Sequence, residues 1–266
     1  MSGDKPRGVD GVALYAVGDV HGRADLLRDL LTRIRNEVQA DARPNQPILL
    51  FVGDYVDRGP DSRGVLAEIL AEQRRDTFRM ICLRGNHDAY LLNFLDNGET
   101  GPMWMNVGGA ATMLSYGVTP PRLKTDMSAW RDASAQLKAA MPKDHIELLS
   151  NASLMASFRD YVFVHAGVRP GVALDRQTEE DVMTIRSRFL SSDDPADGKV
   201  VVFGHTPFDE PYVRTRKIGI DTGAYSSGVL TALRIFEDQI TFVRSGRSTG
   251  QRPAQVPPAP VYSASV

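Results

Sequence analysis

Three apolar runs of strand length, Val12 to Val17, Ile48 to Val52 and Phe78 to Leu83, each give way to a Gly-Asp or Gly-Asn pair, with amphipathic stretches of helix length between them. Residues 24–38 carry Leu26, Leu27, Leu30, Leu31 and Ile34 at helical spacing, and 62–75 carry Val65, Leu66, Ile69 and Leu70 in the same way. Parallel strands cannot be joined by a tight turn and need a crossover of about this length, so the order β-α-β-α-β implies a parallel sheet covered by helices. That geometry also places the chemistry. Side chains that follow the carboxyl ends of neighbouring parallel strands gather at one edge of the sheet, where all three polar pairs fall.

From about 89 to 151 the sequence turns helical, punctuated by Gly98, Gly101, Gly108, Gly109 and Pro120-Pro121, which predicts an inserted helical cap. Strand signals return at 153–158 and 161–165 around the Arg159-Asp160 turn. A helix then opens at Thr178, with Asp181 completing a capping box, and runs to near Leu190. Val200 to Phe203, Tyr212 to Arg216, Lys217 to Asp221, Val229 to Phe236 and Gln239 to Val243 read as further strands, implying a second sheet. Residues 1–246 thus read as one α/β domain. Residues 247–266 hold four prolines, no acidic residue and no apolar period, the pattern of a disordered Pro-rich tail.

The charges narrow the function. Lys and Arg total 31 against 33 Asp and Glu, spread along the chain, so there is no field to hold a polyanion and nucleic acid is not an expected partner. No apolar run is long enough for a membrane span or a signal segment. The single Cys82 lies inside an apolar strand, which reads as a buried structural thiol and fits a reducing, cytoplasmic setting. Four of the five histidines, His21, His87, His165 and His205, sit at strand ends, whereas His145 does not. With Asp19, Asp54 and Asn86 at equivalent positions, three imidazoles (His21, His165, His205), two carboxylates and an amide can converge, which is the composition of a metal site. Without thiolates the donors suit Mn, Fe or Zn, and six ligands suit two divalent ions sharing a carboxylate. Such a centre, with Arg58 beside it, carries net positive charge and invites an anionic tetrahedral group.

Gly18-Asp-Val-His-Gly22, Gly53-Asp-Tyr-Val-Asp-Arg-Gly59 and Gly85-Asn-His-Asp88 resemble the three motifs of the PPP-family metallophosphatases, within the calcineurin-like metallophosphoesterases. The spacings, 35 residues from Asp19 to Asp54 and 32 from Asp54 to Asn86, resemble the bacterial and phage branch of these serine/threonine protein phosphatases. Val164-His165-Ala-Gly167 and Phe203-Gly-His205-Thr206 extend the likeness over about residues 12–236. The resemblance implies a two-sheet β-sandwich flanked by helices, the metallo-dependent phosphatase fold. It implies that Asp19, His21 and Asp54 bind one metal and that Asp54, Asn86, His165 and His205 bind a second, most commonly Mn. It further implies His87 as general acid, Asp57 as its partner, and Arg58 and Asn86 on the substrate phosphate. A metal-bridged hydroxide would attack in line, without a phosphoenzyme.

Two departures from the family pattern bear on specificity and binding. The family carries a second phosphate-binding Arg two residues after a Trp. Here the Trp is missing, and Arg186, with Thr184 in the Trp position, aligns better than Arg188; on one helix the two would point about 200° apart. Asp88 replaces the usual Glu and resembles the diadenosine tetraphosphatase relatives, which cleave phosphoanhydrides, while Asp57 resembles the protein phosphatases. The resulting expectation is a phosphomonoesterase acting on phosphoprotein or phosphopeptide. Its alternatives are a phosphoanhydride hydrolase and a non-catalytic module that binds phosphoproteins. Met103, Trp104 and Met105 read as packing, Tyr55 and Arg84 as loop-fixing residues, and Asp221 as support for a metal ligand.

Overall fold

Successive side chains of β1 (Leu14–Val17) enter two different interiors, Leu14 and Ala16 in one and Tyr15 and Val17 in the other. The same alternation holds in β2 (Ile48–Phe51), whose odd and even positions are all buried. A strand buried on both faces needs a layer on each side, and the chain supplies them. The computed structural model describes residues 6–41, 45–193, 195, 196 and 198–246; the expected Pro-rich tail at 247–266 lies outside them.

Helix α1 (Ala24–Ala40) and helix α2 (Ser62–Arg74) are the crossovers that join β1 to β2 and β2 to β3 (Arg79–Cys82). The three strands pair in parallel, Val17 opposite Phe51 and Phe51 opposite Cys82, so their carboxyl ends finish level. Five helices follow: α3 (Asn86–Asp96), α4 (Gly101–Met105), α5 (Gly109–Ser115), α6 (Met127–Ala140) and α7 (Lys143–Ser150). Leu91, Phe94, Trp104, Trp130 and Leu137 of these helices share one apolar cluster with α1 and α2. Each such fully buried side chain contributes about 1.5–3 kcal/mol relative to exposure.

The second half adds β4 (Met155–Phe158), β5 (Tyr161–Val164), α8 (Glu179–Thr184), α9 (Ser187–Leu190), β6 (Val200–Phe203), β7 (Tyr212–Arg214), β8 (Lys217–Gly219), α10 (Ala224–Ser227), β9 (Val229–Phe236) and β10 (Gln239–Gly246). One sheet has the order β10-β9-β1-β2-β3 and the other β4-β5-β6-β8-β7. Leu14, Leu50 and Leu233 of the first meet Phe163, Val202 and Ile218 of the second, closing the sandwich. The outer face of the second sheet is covered by Val182, Met183 and Phe189 from α8 and α9. Among the described residues no helix is long and apolar enough to cross a membrane.

The single helix expected from Thr178 to near Leu190 is instead two. Thr178 and Asp181 form the expected capping box, but the backbone turns extended at Ile185 and leaves the helical region at Arg186 (φ −132°, ψ −95°) before α9 begins. Phe189, fully buried, sets this turn. Its ring lies over Gly167, where a β-carbon would stand 2.5 Å from it, so the chain must bend inward to bury it. Lys217 then donates to the carbonyls of Leu190 (2.5 Å) and Ser192 (2.6 Å), satisfying the groups that the short helix leaves open.

Candidate metal and phosphate site

Both sheets contribute to one cluster: Asp19 and His21 follow β1, Asp54, Asp57 and Arg58 follow β2, Asn86 and His87 follow β3, His165 follows β5 and His205 follows β6. Five of these residues, His21, Asp54, Asp57, Arg58 and His205, hold φ between +44° and +71°. A non-glycine residue in this region costs about 1–2 kcal/mol, and the packing around the site sustains it. Close backbone approach is part of that packing: a β-carbon on Gly59 would lie 2.0 Å from the His21 carbonyl oxygen.

Asp54 is the hub. Its Oδ2 lies 3.4 Å from His21 Nε2 and 3.4 Å from His165 Nε2, while its Oδ1 accepts the His87 backbone N–H at 2.9 Å. Two overlapping groups capable of holding a cation share it: His21, Asp54 and His87, and Asp54, His165 and His205. His21 Nδ1–H donates to Val56 O (2.8 Å) and His165 Nδ1–H to Val52 O (3.0 Å), which turns each Nε2 inward. Asn86 Oδ1 stands 3.1 Å from His165 Nε2. Asp19 Oδ2 accepts the His205 N–H at 2.9 Å, but its Oδ1 is buried without a partner, beside Gly204, where a β-carbon would reach within 2.0 Å. An orphaned carboxylate oxygen, converging imidazoles and no sulfur donor fit a divalent cation.

The charges agree with that use. Burial, then the Asp221 and Asp54 charges, hold the Asp19 carboxyl well above its usual range. Burial pushes the His21 and His205 imidazoles down to about 3, which keeps both rings neutral, the form that binds a metal. Burial opposes charge on His165 as well, but Asp54 and Asp19 outweigh it and raise this imidazole to about 10. Asp54 is held well below the usual carboxyl range, because His165 and His87 overcome its burial.

His87, though it belongs to the first of the two cation groups, is held through both ring nitrogens by side chains outside them, Nδ1 by Asp57 Oδ2 at 2.7 Å and Nε2 by an Arg58 N–H at 3.0 Å. Arg58 lies with its guanidinium 4.8 Å from the centre of the Tyr225 ring, and that ring meets His21 edge-on. Arg186, at the break between α8 and α9, donates Nε–H to His205 Nε2 at 2.9 Å and a second N–H to the His205 carbonyl at 3.2 Å. The two arginines of this segment therefore do not lie on one helix, as the spacing argument expected, yet only Arg186 reaches the cluster. Asp88 accepts N–H bonds from Gly85 (2.9 Å), Asp54 (2.8 Å) and Tyr55 (3.0 Å), tying the second motif to the third. Tyr55 O–H donates to Leu83 O, and Arg84 to Ser150 O, as loop-fixing residues do. Cys82 is half-buried, less enclosed than expected. Asp221 receives the Gly223 N–H at 2.8 Å and lies close enough to Asp19 to raise its pKa.

Three residues of the site were missed from sequence. Trp104, read as packing, donates its indole N–H to Asp57 Oδ2 at 2.8 Å; Thr112 donates to Asp57 Oδ1 at 2.7 Å; and Tyr225 lies under Arg58. One sequence signal points to Trp104. It precedes the Gly108-Gly109 pair, and a β-carbon on Gly109 would stand 2.4 Å from its indole, so Gly109 makes room for that ring.

Comparison with known proteins agrees with this geometry. The family model for calcineurin-like phosphoesterases matches residues 13–237. The bis(5'-nucleosyl)-tetraphosphatase PrpE (asymmetrical) of Anoxybacillus flavithermus is 26% identical over 247 residues, covering 86% of this chain and 93% of its own. Serine/threonine-protein phosphatase 1 of Salmonella typhimurium is 30% identical over 226 residues, covering 84% and 91%. The crystal structure of a proposed diadenosine tetraphosphatase superposes with a TM-score of 0.59 at 23% identity, covering 90% of this chain and 98% of that one, which shows the shared fold. With a match running from the first strand of the sandwich to the ninth, the chain belongs to the calcineurin-like phosphoesterases, and it is a metallophosphoesterase.

Proposed function

We propose that the protein is a phosphomonoesterase whose leading substrates are phosphoserine and phosphothreonine in proteins or peptides. The observation that carries this reading is the buried His87–Asp57 pair, joined at 2.7 Å. A seryl or threonyl alkoxide is a strong base and leaves only if a proton reaches its oxygen as the P–O bond breaks. In this reading Arg58, whose N–H meets His87 Nε2 at 3.0 Å, turns to the substrate phosphate, His87 delivers the proton from the freed Nε2, and Asp57 fixes the ring through Nδ1. Arg58 and Arg186 bind the phosphoryl oxygens from two sides of the cluster, assisted by the Asn86 amide. Asp19, His21, Asp54, Asn86, His165 and His205 would hold two divalent ions, with Mn the first choice and Fe or Zn compatible with the same donors. When bound, such ions supply positive charge to the phosphoryl oxygens and lower the pKa of water. Asp57 and His87 serve the leaving group only.

A second reading is favoured by the name of the Anoxybacillus relative and by Asp88: hydrolysis of a phosphoanhydride in a dinucleoside tetraphosphate. A phosphate leaving group departs at neutral pH with little protonation, so this chemistry has less need of the His87–Asp57 pair. The two readings separate in one assay. With Mn-loaded enzyme, kcat/KM for a phosphothreonine peptide is expected to exceed that for a dinucleoside tetraphosphate by roughly tenfold or more, and Asp57→Ala should narrow the gap. A preference for the dinucleotide in the wild-type protein would establish the second reading instead.

A further inference from the structure

Asp57 makes more bonds than a partner for one imidazole requires. It is fully buried, and its Oδ2 receives the Trp104 indole N–H (2.8 Å) as well as His87 Nδ1 (2.7 Å). Its Oδ1 receives the Thr112 hydroxyl at 2.7 Å, and its own backbone N–H points back to Thr112 Oγ1 (2.9 Å) and to Ser62 Oγ (3.1 Å). The next residue continues the pattern: the Arg58 N–H donates to the Gly108 carbonyl at 3.2 Å. Trp104, Gly108 and Thr112 all belong to the helical insertion, 47 to 55 residues further along the chain than Asp57 or Arg58.

We propose that Trp104 and Thr112 are positioning residues for the general-acid pair, so that the insertion aims Asp57 at His87. The inference rests on the phosphomonoesterase reading. Three physical points support it. Asp57 and Arg58 are consecutive non-glycine residues in the left-handed region, at φ +71° and +65°, a conformation that reverts unless neighbours over-determine it. Trp104 and Thr112 are fully buried, so no bulk solvent stands beside Asp57 to take over from either donor. The terminal torsion of a carboxylate is also broad, and a separate donor on each oxygen holds it in one plane. Indole and hydroxyl on opposite oxygens leave Oδ2 lying against His87 Nδ1. The indole itself is fixed from behind by Gly109 and by the Phe94 ring, with centroids 4.9 Å apart.

The test uses Trp104→Phe, which keeps a ring and loses the N–H, and Thr112→Val, which keeps the shape and loses the hydroxyl. Each is assayed as Mn-loaded enzyme on a phosphoserine peptide and on nitrophenyl phosphate, with metal content measured in parallel. On the peptide, kcat should fall about tenfold with KM and both metal occupancies unchanged, while nitrophenyl phosphate should lose less than about twofold. Thr112→Ser should restore the peptide rate. In a His87→Asn background neither change should cost anything further, since the relay is already cut. A readout independent of turnover comes from the metal-free protein: Asp57→Asn should shift the Trp104 indole N–H resonance and leave that of Trp130, which donates to Leu123 O, in place. Equal loss on both substrates, no loss on the peptide, or additive loss with His87→Asn would each overturn the proposal, as would failure of both variants to fold, which would make the network a folding element. If His87→Asn itself shows no dependence on the leaving group, it is the general-acid reading that fails.

Discussion

Asp54 is the residue on which the others depend, since one carboxylate stands within 3.4 Å of imidazoles from both sheets. Asp54→Asn keeps the size and removes the charge. It should therefore empty both cation groups together, and elemental analysis should find fewer than about 0.2 metal equivalents per chain under conditions that fill the wild type. Loss of one equivalent only would separate the two groups. His165 gives a second expectation. Raised to about 10 by Asp54 and Asp19 against the cost of burial, it is protonated at neutral pH in the metal-free protein and must lose that proton to become a ligand. Metal uptake at pH 7 should release about one proton from this group, visible as buffer-dependent heats in calorimetry, and affinity should rise tenfold per pH unit below 10. Affinity independent of pH between 6 and 8 would contradict this. These residues were legible in the sequence because each occupies the turn after a strand, where local pattern fixes position. Trp104, Thr112 and Tyr225 were not, because a side chain that reaches the site from a helix looks like core until its partner is seen.

Among the elements, β1, β2 and β3 and the crossovers α1 and α2 were readable because apolar period and length agree there. The stretch after Thr178 shows where that agreement fails. Val182, Met183, Phe189 and Leu190 are compatible with one continuous helix, and nothing in the local sequence announces the bend at Ile185 and Arg186. The bend goes with Phe189 settling over Gly167 and with Lys217 binding the carbonyls of Leu190, at the end of α9, and Ser192. Its functional consequence is the position of Arg186. Placed at the break, it reaches His205 with two N–H groups, whereas Arg188 is an exposed residue of α9. Arg186→Ala should lower kcat/KM about tenfold or more through lost phosphate binding, while Arg188→Ala should stay within about twofold of wild type. Reversed effects in steady-state kinetics would reassign the clamp, and silence of both would leave Arg58 as the phosphate-binding arginine.

The site lies between two sheets that share an apolar core, and its donors come from both: Asp19, His21, Asp54 and Asn86 from the first, His165 and His205 from the second. Cations bound there would tie the two sheets together and cancel the repulsion among buried carboxylates. In the metal-free protein that repulsion has a defined pH dependence. Burial, then Asp54, raise Asp88 to about 7, and burial with Asp221 holds Asp19 well above its usual range. An acid whose folded-state pKa is raised supports folding fully below its unfolded pKa, and the support is lost as pH rises through the folded value. The metal-free protein should therefore lose stability from pH 6 to 8, whereas ions on Asp54 and Asp19 remove the share of the penalty that comes from the Asp19 carboxylate and from the Asp54 charge beside Asp88. Each site filled at a hundredfold excess over its Kd adds about 2.7 kcal/mol, and a chain of this size shifts Tm by roughly 2–4 °C per kcal/mol. Chelation at pH 8 should thus lower Tm by about 10 °C or more in a thermal scan, with a smaller drop at pH 6. Asp54→Asn, unable to hold the ions, should melt at the same temperature with and without chelator. A chelation effect that is equal at both pH values, or that survives in Asp54→Asn, would mean that the cations do not bridge the sheets through these carboxylates.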